Sequence, residues 1–173
     1  MSALVGVSPL LLLVVAGLSI MLIDAFTEDR AELAVVTAVS LFVAAAVAGA
    51  LLTGGELAAA PAVVTRYLAV DRLGLFFDVV ICVGAGLSAL LAGGYLREHG
   101  FERGEFYVLV LFTAFGAMVL ARAVDLLSIF LGLETMSLGA YALVAYRRTS
   151  ARAIEGAVKY FLLGSFAAAI LLF

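Results

Sequence analysis

Six long apolar stretches constrain the fold of this chain more strongly than any other feature. Each is close to the roughly 20 residues that an α-helix needs to cross a bilayer. Hydrophobic residues make up 66% of the 173 residues, and the mean hydropathy of +1.24 is far above that of a soluble domain. We therefore predict an all-α polytopic membrane protein with about six transmembrane helices. The stretches cover residues 4–26, 33–53, 73–96, 106–121, 126–146 and 151–173.

The basic residues predict how these helices are oriented. The loops after the first, third and fifth stretches hold six arginines, and the loops after the second and fourth hold three. The positive-inside rule therefore places the odd loops in the cytoplasm and the amino terminus outside it. The first six are Arg30, Arg97, Arg103, Arg147, Arg148 and Arg152, and the other three are Arg66, Arg72 and Arg122.

The two ends of the sequence carry different signals. The first stretch lacks the positively charged start of a cleavable signal peptide, so we expect a retained helix. The last stretch ends without a capping glycine, an interfacial charge or a tail. That helix either ends at the membrane surface or belongs to a truncated piece of a longer protein, and we favour truncation.

Several site types find no support in the sequence. The single cysteine, Cys82, cannot form an internal disulfide and has the apolar neighbours of a packing residue. His99 lies in a charged loop and is interpreted as solvated. Gly84 and Gly86 lack the third glycine of a nucleotide-binding loop and indicate helix packing. Neither a metal-ligand cluster nor a basic patch typical of nucleic-acid binding is evident, so we expect no nucleic-acid partner.

Glu134 is the first candidate functional residue. It lies eight residues after Leu126, about 12 Å into the fifth helix and near the middle of the bilayer. A charged carboxylate there costs at least roughly 2.5–3.5 kcal/mol, so it has to face protein, water or a partner, or remain protonated. Ser137 and Tyr141 follow on the same helix face and complete a polar stripe that could hold water. The alternative is a neutral acid that is hydrogen-bonded between helices.

Lys159, the only lysine, is the second candidate. A desolvated lysine can exchange its proton at accessible pH, whereas arginine effectively cannot. Lys159 lies about 10 Å inward from Arg152 and shares a face with Glu155. Glu134 lies about 20 Å inward from the same side, so two stations joined by water are favoured over a tight ion pair. Alternatively, Lys159 extends to the interface and pairs simply with Glu155.

Other residues indicate structural roles. Asp78 and Asp125 lie close to predicted helix starts, where a carboxylate suits the helix macrodipole. Small residues on the second, fifth and sixth helices predict a tight bundle or a protein partner, because they let helix backbones approach closely in lipid. They are Ala44, Ala48, Gly49, Gly132, Gly139, Gly156 and Gly164.

The second half of the chain resembles a known family over about 70 residues. It is similar to the N subunit of bacterial NADH–quinone oxidoreductase, respiratory complex I, whereas residues 1–104 match more loosely. The resemblance rests on the segments EFYVL at 105–109, FGAM at 115–118, LLSIFLGLE at 126–134, YALVAY at 141–146 and EGAVKYFLLGSF at 155–166.

The resemblance implies an antiporter-like proton-channel fold. Residues 1–104 would form three amino-terminal helices, and 105–173 the first three helices of the proton-channel repeat. Glu134 and Lys159 would be the proton-transfer residues. The family fold continues with a broken seventh helix carrying another essential lysine and with an inverted repeat, neither of which this sequence contains.

The resemblance also implies the cellular setting. The chain would act as a subunit of the oxidoreductase in the bacterial plasma membrane, beside other complex I membrane subunits, with its amino terminus on the non-cytoplasmic side. It would hold no cofactor and perform no redox catalysis itself. NADH, FMN, the iron–sulfur clusters and quinone would be used by other subunits. Two alternatives remain open: a cation/proton antiporter subunit of the same superfamily, and a non-catalytic membrane scaffold.

Overall fold

The computed structural model describes residues 2–26, 32–54 and 60–173. Within these residues, six helices are long and apolar enough to cross a membrane, judged by length and composition. This confirms the predicted all-α architecture. Arg30, one of the loop arginines counted above, lies outside the described residues. The elements are a 3-10 helix Ser2–Val7, α1 Ser8–Phe26, α2 Leu33–Thr53, the short α3 Ala62–Thr65, α4 Arg72–Glu98, α5 Gly104–Arg122, α6 Leu126–Val144 and α7 Ala151–Leu172.

The observed helix bounds follow the predicted ones closely, with one difference of kind. The second stretch, 33–53, coincides with α2. The first stretch instead begins as the 3-10 helix and becomes α-helical only at Ser8. Pro9 then lies in the first turn of α1, where its missing amide hydrogen removes no intrahelical hydrogen bond.

The helices pack mainly as antiparallel neighbours. Helix α5 packs most extensively against α6, and α2 against α4, while α1 contacts both α2 and α5. All of the extensive contacts that α7 makes with described elements are with α6. The core therefore lies among α1, α2, α4 and α5, and α7 stands at one side of it. Fully buried core side chains include Leu41, Leu75, Cys82, Tyr107 and Met118.

Glycine contacts bring the backbones of α5 and α6 together. A Cβ atom added to Gly132 would lie 2.6 Å from the backbone nitrogen of Leu120. One added to Gly139 would lie 3.3 Å from the backbone oxygen of Leu109. Larger residues would therefore force the two helices apart, which confirms the predicted role of both glycines in tight packing.

The two glycines predicted to pack α4 behave differently. At Gly86 an added Cβ would lie 3.0 Å from the ring of Phe42, so this glycine serves packing as expected. At Gly84 an added Cβ would meet nothing within 4 Å. The packing interpretation is therefore correct for Gly86 and wrong for Gly84, because Gly84 lies on the exposed face of α4.

Backbone hydrogen bonds, together called the strap below, join the segment between α3 and α4 to the connection between α5 and α6. Leu68 and Ala123 form an isolated antiparallel bridge. The Ala69 amide donates to the Arg122 carbonyl at 2.7 Å, and the Val124 amide donates to the Tyr67 carbonyl at 3.2 Å. Backbone hydrogen bonds therefore tie two connections together at one end of the bundle.

Side chains cap the last two helices. The carboxylate of Asp125 accepts a hydrogen bond of 2.8 Å from the Ser128 amide, and its hydrogen bonds with Ser128 lower the pKa of Asp125. Ser150 accepts from the Ala153 amide at 3.4 Å. The predicted helix-start role of Asp125 is thus confirmed, and Ser150 has the same role, since each satisfies a donor that the helix itself leaves free.

Candidate functional site

Glu134 lies near the middle of α6 and is half-buried. Within the part of the chain that the structure describes, its carboxylate makes no hydrogen bond or ion pair. Helix α5 fixes its backbone, because a Cβ atom added to Gly116 would lie 2.8 Å from Cα of Met136 and 2.9 Å from the carbonyl carbon of Thr135. The close approach at Gly116 therefore sets the position of the helical turn that carries Glu134.

The polar stripe predicted on α6 leads from Glu134 toward α7. Ser137 is half-buried and Tyr141 is only 8% exposed. Neither hydroxyl has a hydrogen-bond partner among the described residues. The ring of Tyr141 packs edge-on against Tyr160 at 4.7 Å, measured between ring centroids. The stripe thus ends at the helix that carries Lys159.

Gly164 makes room for this tyrosine on α7. A Cβ atom added there would lie 2.7 Å from Cζ of Tyr141, so the phenol is seated directly against the α7 backbone. Phe161 packs edge-on against the same ring at 5.7 Å. These contacts hold an otherwise unpartnered hydroxyl between the two helices.

Lys159 forms the ion pair expected from its spacing. Its Nζ atom lies 2.5 Å from Oε1 of Glu155, which confirms the predicted i,i+4 arrangement. The side chains of Lys159 and Glu155 are 70% and 65% exposed. The expectation that Lys159 is buried is therefore wrong for the described residues, because only α6 packs extensively against α7.

Glu134 and Lys159 lie on neighbouring helices without meeting. No ion pair joins them among the described residues, in agreement with the expected offset. Tyr141 and Tyr160 stand in contact between the two helices. Water linking the two groups stays a prediction.

Sequence reasoning missed the pairing of Arg122 with Asp78. Both side chains are completely buried. Nε of Arg122 donates to Oδ1 of Asp78 at 3.1 Å, Nη2 bonds Oδ2, and Nη1 donates to the carbonyl of Gly6 at 2.8 Å. A buried guanidinium needs such partners, and here they come from two separate segments of the chain, α4 and the 3-10 helix.

The prediction that the helix macrodipole stabilises the carboxylate of Asp78 is therefore wrong. Asp78 is the seventh residue of α4, beyond the first turn, and its charge is balanced by Arg122. One signal could have found the pair. In the predicted topology the start of the third stretch and the end of the fourth lie on the same side of the membrane, which brings the two residues to similar depth.

The remaining candidates have structural surroundings. Cys82 is fully buried with its Sγ 3.7 Å from Sδ of Met118, which confirms its packing role. His99 is exposed and stacks on the ring of Tyr95. Across residues 2–26, 32–54 and 60–173, no group of His, Cys, Asp and Glu side chains is arranged to hold a metal ion.

Known proteins are similar to this chain over almost its whole length. The profile of the family described as NADH:quinone oxidoreductase/Mrp antiporter, TM, matches residues 123–173. NADH-quinone oxidoreductase subunit N 1 of Sorangium cellulosum is 50% identical, over 98% of this chain and 36% of its own length. Subunit N of Myxococcus xanthus is 37% identical, over 95% of this chain and 32% of its own length.

A solved structure gives the same relationship. In respiratory complex I from Thermus thermophilus with bound aureothin, one chain matches with a TM-score of 0.72 and 30% identity. The match covers 93% of this chain and 34% of that one. This chain therefore spans about a third of the length of the relatives it matches.

Proposed function

Because this chain belongs to the family of the N subunits of NADH–quinone oxidoreductase, we propose that it forms part of a proton-translocating membrane subunit of that complex. The observation that carries the proposal is the half-buried carboxylate of Glu134, midway along α6 and without a protein partner among the described residues. The segment that matches the family profile contains it.

The chemistry of the stripe supports proton transfer. A carboxylate in a transmembrane helix is stable when protonated or when water reaches it, so a small change in field or hydration moves its proton. The hydroxyls of Ser137 and Tyr141 can each donate and accept hydrogen bonds. Water ordered along them would carry a proton from Glu134 toward α7, where Lys159 is the second station.

In the assembled subunit, Lys159 would work in a more enclosed setting. The Lys159–Glu155 pair lies on a membrane-length helix that the described residues cover on one side, through α6. Charged side chains facing hydrocarbon are costly. We therefore propose that further protein of the complex covers this face and makes its desolvation strong enough for proton exchange.

The same proposal includes partners, cofactors and location. Other complex I membrane subunits would be the partners, in the plasma membrane of a bacterium. NADH oxidation and quinone reduction, with FMN and iron–sulfur clusters, would take place in other subunits. The amino terminus would lie on the non-cytoplasmic side, as the positive-inside rule indicates from the arginine-rich loops at the opposite end of the bundle.

Glu134→Gln tests the first station in the assembled complex. Glutamine keeps the size of the side chain and cannot release a proton, so we expect proton translocation to fall by about a hundredfold, the lower range for loss of a proton-transferring group. The measurement is dye quenching in proteoliposomes energised with NADH. Thr135→Val is the matched control, because the Thr135 hydroxyl is already bonded to the Leu131 carbonyl. Unchanged pumping in the glutamine variant would remove Glu134 from the path.

Lys159→Arg tests the second station more sharply than a neutral substitution. Arginine keeps the charge and can keep the pair with Glu155, but it does not release its proton. A second variant, Lys159→Met, removes the charge. If protons pass through Lys159, both Lys159→Arg and Lys159→Met should lose proton pumping. A purely structural ion pair predicts that arginine pumps normally while methionine alone lowers stability or assembly. The two variants therefore separate these roles in one assay.

The cation/proton antiporter is the second candidate function. It is favoured by the description of the matching family profile, which includes Mrp antiporters. Sodium-dependent proton exchange in vesicles without an electron donor would support it. Transport that requires NADH oxidation would support the oxidoreductase subunit instead.

A further inference from the structure

Three adjoining cavities lead from the loops at one end of the bundle into the groove between α1 and α5. A cavity of about 280 Å³ at the loop end shares Glu105 and Arg148 with a second cavity of about 400 Å³. The second shares Met21 and Val108 with a third, of about 100 Å³. The shared residues make the three cavities one groove that runs from the end of the bundle into the membrane-spanning part.

The outer end of the groove is basic. Arg103, Arg147 and Arg148 line the first cavity together with one acidic residue, Glu105. Arg103 is exposed and has no ion pair among the described residues. The guanidinium of Arg147 lies 4.8 Å from the centroid of the Phe101 ring, a contact that leaves its charge uncompensated. Two guanidinium groups thus remain available to an anion.

The acidic residues beside the groove are already engaged. Oε2 of Glu105 lies 3.3 Å from Nη2 of Arg148. Asp24, which lines the second cavity, accepts a hydrogen bond of 3.2 Å from the Gly104 amide. The charge of Glu105 is balanced by Arg148, and Asp24 does not line the first cavity, so the basic character of the outer end persists.

The inner end of the groove is apolar and open. Leu18 is 58% exposed and Phe112 is 54% exposed along its walls. Gly17 forms part of the floor, where an added Cβ atom would meet nothing within 4 Å. From Leu13 to Met21 the groove follows α1 for about 12 Å, close to the roughly 15 Å depth of one leaflet of hydrocarbon.

We propose that this groove binds an anionic phospholipid, with its phosphate between Arg103 and Arg147 and one acyl chain along α1 and α5. Charge complementarity selects an anionic headgroup, since the only uncompensated charges lining the described cavity are positive. The apolar lining of the inner cavity, which includes the exposed side chains of Leu18 and Phe112, suits an acyl chain. In the orientation that the loop arginines predict, this end faces the leaflet surface where basic residues attract anionic lipids.

The headgroup contact is tested with the double variant Arg103→Gln/Arg147→Gln in the complete, delipidated complex. Phosphatidylglycerol binding is measured by native mass spectrometry. Each arginine near an anionic surface contributes a factor of about five, so we expect roughly thirtyfold weaker binding when both are replaced. Arg66→Gln/Arg72→Gln is the matched control, because both arginines are exposed at the opposite end of the bundle. Equal phosphatidylglycerol binding in the two double variants would overturn the proposal.

The acyl-chain contact is tested independently with Gly17→Leu. The Cβ atom of a leucine there would meet no protein atom within 4 Å, and the rest of the side chain would occupy the groove, so we expect lipid retention to fall at least tenfold. Gly84→Leu is the control, because it adds the same side chain to open space outside the groove. A photo-crosslinking residue at position 18 should label lipid. Labelling of a protein chain instead, or full lipid retention in Gly17→Leu, would contradict the proposal.

Discussion

Arg122→Met is expected to lower the free energy of unfolding by about 3–5 kcal/mol, the usual consequence of leaving a buried charge without its partner. Asp78 would keep a completely buried carboxylate that nothing else in the described chain balances. The Gly6 carbonyl would also lose its donor, Nη1 of Arg122. Denaturant titration of the purified full-length subunit in detergent measures the effect.

Two comparison variants isolate the charge from the packing. Arg66→Met removes an exposed arginine and should change stability by no more than about 0.5 kcal/mol. Asp78→Leu combined with Arg122→Met replaces both charges with apolar groups, which is often neutral, so the double variant should recover most of the loss. An Arg122→Met variant as stable as Arg66→Met would show that the buried pair contributes little.

Gly116→Ala is expected to reduce both stability and proton translocation. The new methyl group would lie 2.8 Å from Cα of Met136, and backbone atoms cannot rotate away as a side chain can. Overpacking of this kind costs typically 1–3 kcal/mol. The resulting displacement of α6 would move Glu134, and a shift of about 1 Å in a reacting group can reduce a rate roughly a hundredfold. Pumping in proteoliposomes and thermal unfolding measure the two effects.

Gly94→Ala is the control for this substitution. Gly94 is exposed on α4, and a Cβ atom there meets nothing within 4 Å. The Gly94→Ala variant should fold and pump protons normally. Its helix α4 should be slightly more stable, because alanine favours helix more than glycine does. If Gly116→Ala also pumped normally, the close approach of α5 would not control the position of Glu134.

The sequence predicts the helices and their ends well because their causes are local. Apolar runs of membrane length define the spans, and single residues such as Asp125 and Ser150 satisfy the free donors at a helix start. The depth of Glu134 and the pair between Glu155 and Lys159 follow from helical spacing alone. Each of these predictions depends on residues close together in the chain.

The features that escaped prediction depend on which helices become neighbours. Asp78 and Arg122 are 44 residues apart, so helical periodicity cannot reveal their contact. The exposure of Lys159 depends on what packs against α7, which lies beyond any pattern within α7 itself. The groove of Gly17 likewise requires α1 and α5 to lie side by side. Tertiary arrangement, rather than local preference, decides all three.

The backbone strap at Leu68 and Ala123 makes the bundle mechanically asymmetric. Together with the buried guanidinium of Arg122, this bridge fixes the carboxyl-terminal end of α5. The amino-terminal end of α5, at Gly104, has no equivalent backbone bridge among the described residues. Helix α5 spans 19 residues, so a tilt of about 5° around the anchored end moves the far end by about 2.5 Å. A rotation of α5 about the strap would therefore displace the arginine-rich rim more than the strapped end.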